Sequence, residues 1–277
     1  MTDLELINRS TASHHAESPQ ATPSLHYDVH PGNGPAMLLI HGLLCSRALW
    51  NLNIKALGAV CTPVTVELFG HGRSPAPSDV DSYSPDNYVL QIELIRKAIG
   101  ANKILLCGHS LGASLSIRYA LHYPQQILGH VFTNSSSAFS EPREETRSPE
   151  SLIQYFESGG MKIIEKIPVH PKYSKWLPPE VKIPLVEDGA LLNPPSIART
   201  MAYTHPHLSL RHQIQHNTRP ALLVCGSQEK RFQPLRDFVE NTMPQTTIVD
   251  VEAGHAVNAE CADGFNSAVT GFIEKLL

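Results

Sequence analysis

No apolar run in this sequence approaches the roughly 18 residues that a helix needs to cross a membrane, so no membrane span is expected. Charge of one sign is also missing: 22 Lys+Arg stand against 26 Asp+Glu, a formal net charge of -4. A chain without a basic stripe is a poor nucleic-acid partner. The densest basic stretch, Arg143 to Arg147, is interleaved with Glu144 and Glu145 and reads as a solvated charged loop. Cysteine is sparse and odd in number: the 5 residues Cys45, Cys61, Cys107, Cys225 and Cys261 are far apart and form no CxxC pair. That spacing excludes a disulfide framework or a zinc site of the usual kind, and a reducing cytoplasm is the compartment expected. The 15 histidines include no HExxH or HxxEH and no carboxylate–His cluster on one helix, so neither a metal nor a cofactor is expected. Residues 1–24 lack the basic segment and apolar core of a secretory signal. They are polar, rich in Ser, Thr and His, and expected to form a mobile tail with a short strand at Leu4–Ile7.

What is present is the composition of a globular domain: 277 residues, 42% hydrophobic and 17% charged. Leu25–Val29 alternates like a strand, and Pro31 to Pro35 is a turn cluster. Ala36–Ile40 (AMLLI), Val64–Leu68, Lys103–Cys107 and Ile127–Thr133 are short apolar runs, as expected of strands covered on both faces. Between them, Tyr88, Ile92, Ile95 and Ile99 mark one face of a helix over Ser84–Gly100, and Gly112–Tyr123 reads as a helix stopped by Pro124. Strand and helix alternate, which implies an α/β fold with a mainly parallel twisted sheet and helices on both faces.

From about Ser135 to Leu210 the strand-like runs disappear and prolines multiply, with helix-like stretches at Pro149–Ser158 and Pro195–Thr204. This predicts an inserted helical cap over residues 137–210, with residues 25–136 and 211–277 forming the core. The sheet pattern resumes with Ala221–Cys225, a helix near Pro234–Thr242, a strand at Thr246–Val251 and a closing helix at Cys261–Leu277.

Chemistry concentrates in Gly108-His109-Ser110-Leu111-Gly112. The motif fits G-x-S-x-G and lies between a buried strand and a helix, where a sharp turn lifts Ser110 to its crest. The two glycines keep side chains out of the crowded turn, and the ring of His109 is expected to point away from the crest. His41-Gly42-Leu43-Leu44 follows the AMLLI strand. The amides of Leu43 and Leu111 there suit an oxyanion hole. Gly254-His255 follows the strand Thr246–Val251 and supplies a base at the position where Ser110 needs one. His41 and His71 lie in loops at the same end of the sheet, where loop hydrogen bonding is their ordinary role.

The acid must lie between Ser110 and His255 if the chain order is nucleophile, acid, base. Glu229 is the first carboxylate after Ala221–Cys225. Asp237 falls inside the next helix and reads as a surface charge, and Asp188 lies in the insert. The loop after Ile127–Thr133 is Asn134-Ser135-Ser136-Ser137, with no carboxylate.

Over residues 25–133 and 215–277 the chain resembles the α/β-hydrolase superfamily. The likeness rests on LLIHGLL (38–44), ELFGHGRS (67–74), LLCGHSLGASLSIRYALHYP (105–124), LLVCGSQEK (222–230) and EAGHAVNAECADGF (252–265). It implies Ser110 as nucleophile, His255 as base, Glu229 as acid, and Leu43 and Leu111 as the oxyanion hole. Members usually carry Asp where this chain has Glu229, and many have Asp at Glu67. Family members with an Asp nucleophile, the dehalogenases and most epoxide hydrolases, do not fit Ser110. The expectation is a serine hydrolase acting on a small or medium carboxylic ester, thioester or lactone, with a small molecule as its partner. The alternative is a non-hydrolytic member, either a small-molecule receptor or a lyase or carbon–carbon bond hydrolase using the same residues.

Overall fold

The computed structural model describes residues 24–142 and 147–277. The expected tail, its strand at Leu4–Ile7, and most of the basic loop at 143–146 lie outside the described residues. The described strands form one seven-stranded sheet. They are β1 (Tyr27–Val29), β2 (Ala36–Ile40), β3 (Thr62–Val66), β4 (Ile104–Gly108), β5 (Ile127–Phe132), β6 (Ala221–Gly226) and β7 (Thr246–Val251). The order is β1-β3-β2-β4-β5-β6-β7. Only β1 runs antiparallel to its neighbour; every other pair is parallel. The parallel order follows from the crossover helices, which return the chain to the same edge before each new strand.

The run AMLLI is apolar throughout because both its faces are covered. Leu38 and Ile40 pack with Ile92, Ile95, Leu115 and Tyr119 on one side. Met37 and Leu39 pack with Trp50, Phe265, Val269 and Ile273 on the other. The helix predicted from Tyr88, Ile92 and Ile95 spans Pro85–Ala98. Ser84 caps it by accepting from the Asn87 amide, Pro85 takes the first turn where no donor is needed, and Gly100 follows at φ +70°.

Between β5 and β6 the described residues form helices and no strand. Three of its prolines initiate helices: Pro149, Pro179 and Pro194 each occupy the first turn of a helix, over Pro149–Gly159, Pro179–Asp188 and Pro194–Arg199, while Pro184 lies inside the second of these. The last of these continues as a wider, π-type turn over Thr200–Thr204. The segment is tied to the turn Asp81–Tyr83 that precedes the helix Pro85–Ala98. Tyr83 Oη shares a hydrogen bond of 2.7 Å with Ser196 Oγ, and Thr204 Oγ1 donates to the Tyr83 carbonyl at 2.6 Å.

The turn after β4 explains its glycines. A Cβ on Gly108 would lie 2.2 Å from the Gly112 carbonyl oxygen, and one on Gly112 would lie 2.2 Å from the Ile40 carbonyl oxygen. Both obstacles are backbone and cannot swing away. Gly112→Ala is therefore expected to destabilise the fold by roughly 3 kcal/mol or more, the upper end of overpacking penalties. Gly271, inside the helix Ala262–Leu276, has nothing within 4 Å of its virtual Cβ. There alanine is expected to stabilise by about 0.5–1 kcal/mol. Urea unfolding midpoints of the two variants should move in opposite directions.

Candidate active site

Ser110 stands between β4 and the helix Leu111–His122 with φ 53° and ψ -114°. Among the described residues only Leu44 shares a positive φ without being glycine. Such a conformation costs of order 1–3 kcal/mol and persists only where its surroundings over-determine it. They do so here. The His109 amide donates to the Ile40 carbonyl at 2.9 Å, and the Gly112 amide to the His109 carbonyl at 2.8 Å. The Ser110 carbonyl accepts from Ser135 Oγ at 2.7 Å and from the Ala113 amide at 3.0 Å.

Glu229 leaves the end of β6 and meets His255, which lies beyond β7. His255 Nδ1 sits 3.1 Å from Glu229 Oε1 and 3.0 Å from Oε2. Burial works against the charged carboxyl, but the His255 and Asn134 contacts outweigh it and hold Glu229 below the usual glutamate range. With Glu229 ionised, Nδ1 is the donor, which leaves Nε2 with its lone pair free for proton transfer.

No motif marks Asn134, which lies in the loop after β5. Its Nδ2 donates to Glu229 Oε2 at 2.7 Å and to the Gly226 carbonyl at 3.2 Å, while its Oδ1 accepts from the Gly226 amide at 2.9 Å. The loop after β5 thus carries no carboxylate but clamps the segment that carries Glu229. The strand-end position was the available signal.

Ser110, His255, Glu229, Leu43 and Leu111 all line one cavity of about 490 Å³. The Leu43 and Leu111 amides donate to no acceptor among the described residues. The Leu44 amide, by contrast, is spent on His71 Nε2 at 3.1 Å. The other face of the cavity comes from the helical segment, including Val169, His170, Tyr173 and Leu177. No Lys or Arg is among its described lining residues. A second hollow of about 470 Å³ adjoins it, sharing Ser137 and His205 in its wall and including Arg147.

The expectation for His109 needs correction. Its ring does not leave the site: it lines the same cavity and packs edge-on against His255, with centroids 4.9 Å apart. Gly42 makes the room, since a Cβ there would lie 3.0 Å from His109 Cδ2. His109 Nδ1 is anchored on Thr133 Oγ1 at 3.0 Å, and burial, followed by the nearby His255 and His41, keeps this ring neutral well below the usual histidine value.

The alternative acids lie elsewhere. Asp237 is exposed and contacts Arg236 at 3.4 Å. Asp188 accepts from Ser46 Oγ at 2.6 Å and pairs with Arg73 at 3.4 Å. Arg73 also holds the fully buried Glu67 at 3.1 Å, so the Glu67 position is a structural anchor for the loop and the helical segment above it.

His41 and His71 serve as loop fasteners. His41 Nδ1 donates to the Gly42 carbonyl at 2.7 Å and Nε2 accepts the Leu68 amide at 3.1 Å. His71 Nδ1 donates to the Phe69 carbonyl at 3.0 Å. Burial lowers His41 from 6.5 to about 4 and His71 to about 3. Both rings stay neutral when folded, whereas in the unfolded chain they take up a proton below about 6.5. Their stabilising effect is therefore complete above pH 6.5 and falls as pH drops towards 4 and 3 respectively. The loss is up to about 1.4 kcal/mol per pH unit for each ring. Urea unfolding at about pH 7.5 and about pH 5 should show a lower midpoint in acid, with a shallower dependence in His71→Gln.

No helix among the described residues is long and apolar enough to cross a membrane. Residues 35–159 match a family model described as the alpha/beta hydrolase fold. A Bacillus subtilis protein, provisionally named 2-succinyl-6-hydroxy-2,4-cyclohexadiene-1-carboxylate synthase, is 23% identical over 90% of this chain and 94% of its own. Further curated relatives, 32–40% identical, match over only 27–30% of their own length. Among solved structures, MenH from S. aureus superposes with a TM-score of 0.77 at 18% identity, covering 91% of this chain and 98% of that one. The enol-lactonase from Burkholderia xenovorans LB400 gives 0.73 at 20% identity, covering 90% and 96%. Sheet order, the strained Ser110 turn and the family match agree: the chain has the α/β-hydrolase fold, and its residues 35–159 match that family.

Proposed function

We propose that this chain is a serine hydrolase that cleaves a small or medium-sized carboxylic ester, thioester or lactone through an acyl-enzyme on Ser110. The observation that carries the reading is the Glu229–His255 contact of 3.0 Å in the cavity that also holds Ser110 and two undonated amides. His255 Nε2 takes the Ser110 hydroxyl proton as Oγ attacks the carbonyl carbon, and the Leu43 and Leu111 amides receive the developing oxyanion. The protonated imidazole, held by Glu229, gives its proton to the leaving alcohol, thiol or the lactone's own oxygen. Water, deprotonated by the same ring, then releases the acid and restores Ser110. The helical segment 137–210 acts as the cap that bounds the acyl and alcohol pockets. A lining without Lys or Arg favours substrates uncharged near the reacting bond.

A second reading is a lyase in which Ser110 and His255 abstract a proton, favoured by the near full-length match to the Bacillus subtilis synthase. A fluorophosphonate probe and a panel of p-nitrophenyl esters separate the two. The hydrolase should gain the phosphonyl mass on the peptide containing Ser110 and turn over short esters many times. A folded wild type that takes no label overturns the nucleophile assignment. Labelling without ester turnover favours the lyase.

A further inference from the structure

We propose that the segment 161–177, at the rim of the Ser110 cavity, is a docking surface for an anionic lipid bilayer. Three of its apolar side chains face solvent: Val169 is 58% exposed, Tyr173 52% and Trp176 71%. Folded proteins seldom present apolar side chains so close together unless a surface covers them. Here Val169 and Tyr173 also line the cavity, so the patch and the cavity share an edge.

The charge around the patch says what covers it. In a chain of net charge -4, this stretch holds Lys162, Lys166, Lys172 and Lys175 against the single acid Glu165. Lys172 pairs with Glu165 at 3.1 Å, which leaves the other three lysines as an excess of positive charge. Exposed Trp and Tyr among lysines are the combination that inserts at a headgroup boundary, where rings enter the acyl edge and ammonium groups meet anionic phosphates.

The patch is also fixed in shape. Ile164 and Pro171 are buried beneath it. Tyr173 Oη donates to the Glu165 carbonyl at 2.9 Å, and Lys182 Nζ donates to the Ser174 carbonyl at 2.6 Å. The apolar residues are held outward by this frame, so docking needs no folding step to expose them. Docked in this way, the cavity rim meets the membrane and an apolar ester could pass from the bilayer without crossing water.

The test uses the full chain with phosphatidylcholine vesicles, with and without about one third phosphatidylglycerol. Trp176 is a built-in reporter. The other tryptophan, Trp50, is 0% exposed and will not respond. The expected result is co-sedimentation with the anionic vesicles only, weakened by salt, with a blue shift of the Trp176 emission. The triple variant Lys162→Glu/Lys166→Glu/Lys175→Glu should lose about a hundredfold or more in vesicle affinity, at about fivefold for each lysine removed. Trp176→Ser should weaken binding and abolish the shift. Ser110→Ala should bind as the wild type does, so this proposal stands or falls separately from the catalytic one. Absence of binding to anionic vesicles, equal binding to neutral ones, or undiminished binding by the triple variant would each overturn it; the first outcome would leave the patch to a protein partner.

Discussion

Ser110→Ala is expected to lower kcat for ester hydrolysis by about six orders of magnitude, the loss seen when the nucleophile of a serine triad is removed. The residue that remains should still fold. Alanine has the same Cβ as serine and suffers the same φ of 53°, and the Ser135 hydrogen bond goes to the backbone carbonyl, not to the lost hydroxyl. A stability equal to wild type, with no phosphonyl label and no turnover, is the expected combination. Ser110→Gly adds a second signature. It removes the same hydroxyl but also relieves the backbone, which should recover about 1–3 kcal/mol of strain less the roughly 0.5–1 kcal/mol that glycine's extra freedom costs. The glycine variant should therefore be inactive and more stable by about 1 kcal/mol, read as a higher urea midpoint. If it is less stable, Ser110 does not occupy the strained crest. If Ser110→Ala keeps wild-type kcat, the nucleophile is elsewhere.

Glu229→Gln is expected to cost about four orders of magnitude in kcat, as amidation of the acid does in a serine triad. Asn134 makes the reason specific. Its Nδ2 donates at 2.7 Å to Oε2 of residue 229. In the variant, the glutamine turns its carbonyl oxygen to that donor and its NH2 to His255. Nδ1 of His255, now facing a donor, must become the acceptor. The ring proton moves to Nε2, where it blocks removal of the Ser110 proton. The geometry survives and the tautomer does not, so KM should change far less than kcat. Contacts with His255 and Asn134 hold Glu229 below the usual glutamate range, so its protonation is not expected to limit kcat at neutral pH. Asp237→Asn is the control. Asp237 lies on an exposed helix beside Arg236, and its loss should leave kcat within about twofold. A large effect at Asp237 with none at Glu229 would reverse the assignment.

The parts of the site that could be read in advance are those governed by neighbouring residues. Gly108 to Gly112 declare a sharp strand-to-helix turn because the required absence of two Cβ atoms is a local matter, and the apolar runs before it give the strand. Strand Ala36–Ile40 coincides with its run, since burial on both faces leaves an uninterrupted apolar signature, and the half-exposed edge strand Thr246–Val251 coincides with its alternating one. Others shift by a residue or two: Val64–Leu68 is observed at Thr62–Val66, because register against β2 sets where pairing stops. The prolines between β5 and β6 mark a stretch of helices, but their role at helix starts depends on backbone donors that composition does not show.

Chain order brought Glu229 forward, yet order alone carries no contact. Glu229 reaches His255 because β6 and β7 are parallel neighbours whose ends open on the same side of the sheet. Asn134 reaches Glu229 across 95 residues because β5 is the neighbour on the other side. The His109 ring faces His255 because Gly42, from a third strand end, leaves space for it.

The histidine count gains meaning only in the same way: His41 and His71 become neutral fasteners through burial, and His255 takes a carboxylate partner that burial alone would not provide. By itself, then, the sequence determined the order of strands and helices, the glycine turn and the residue types available to a nucleophile, a base and an acid. Tertiary structure decided which of them meet, because side-chain contacts across strand ends depend on sheet order and register, and these are set by packing between segments far apart in the chain.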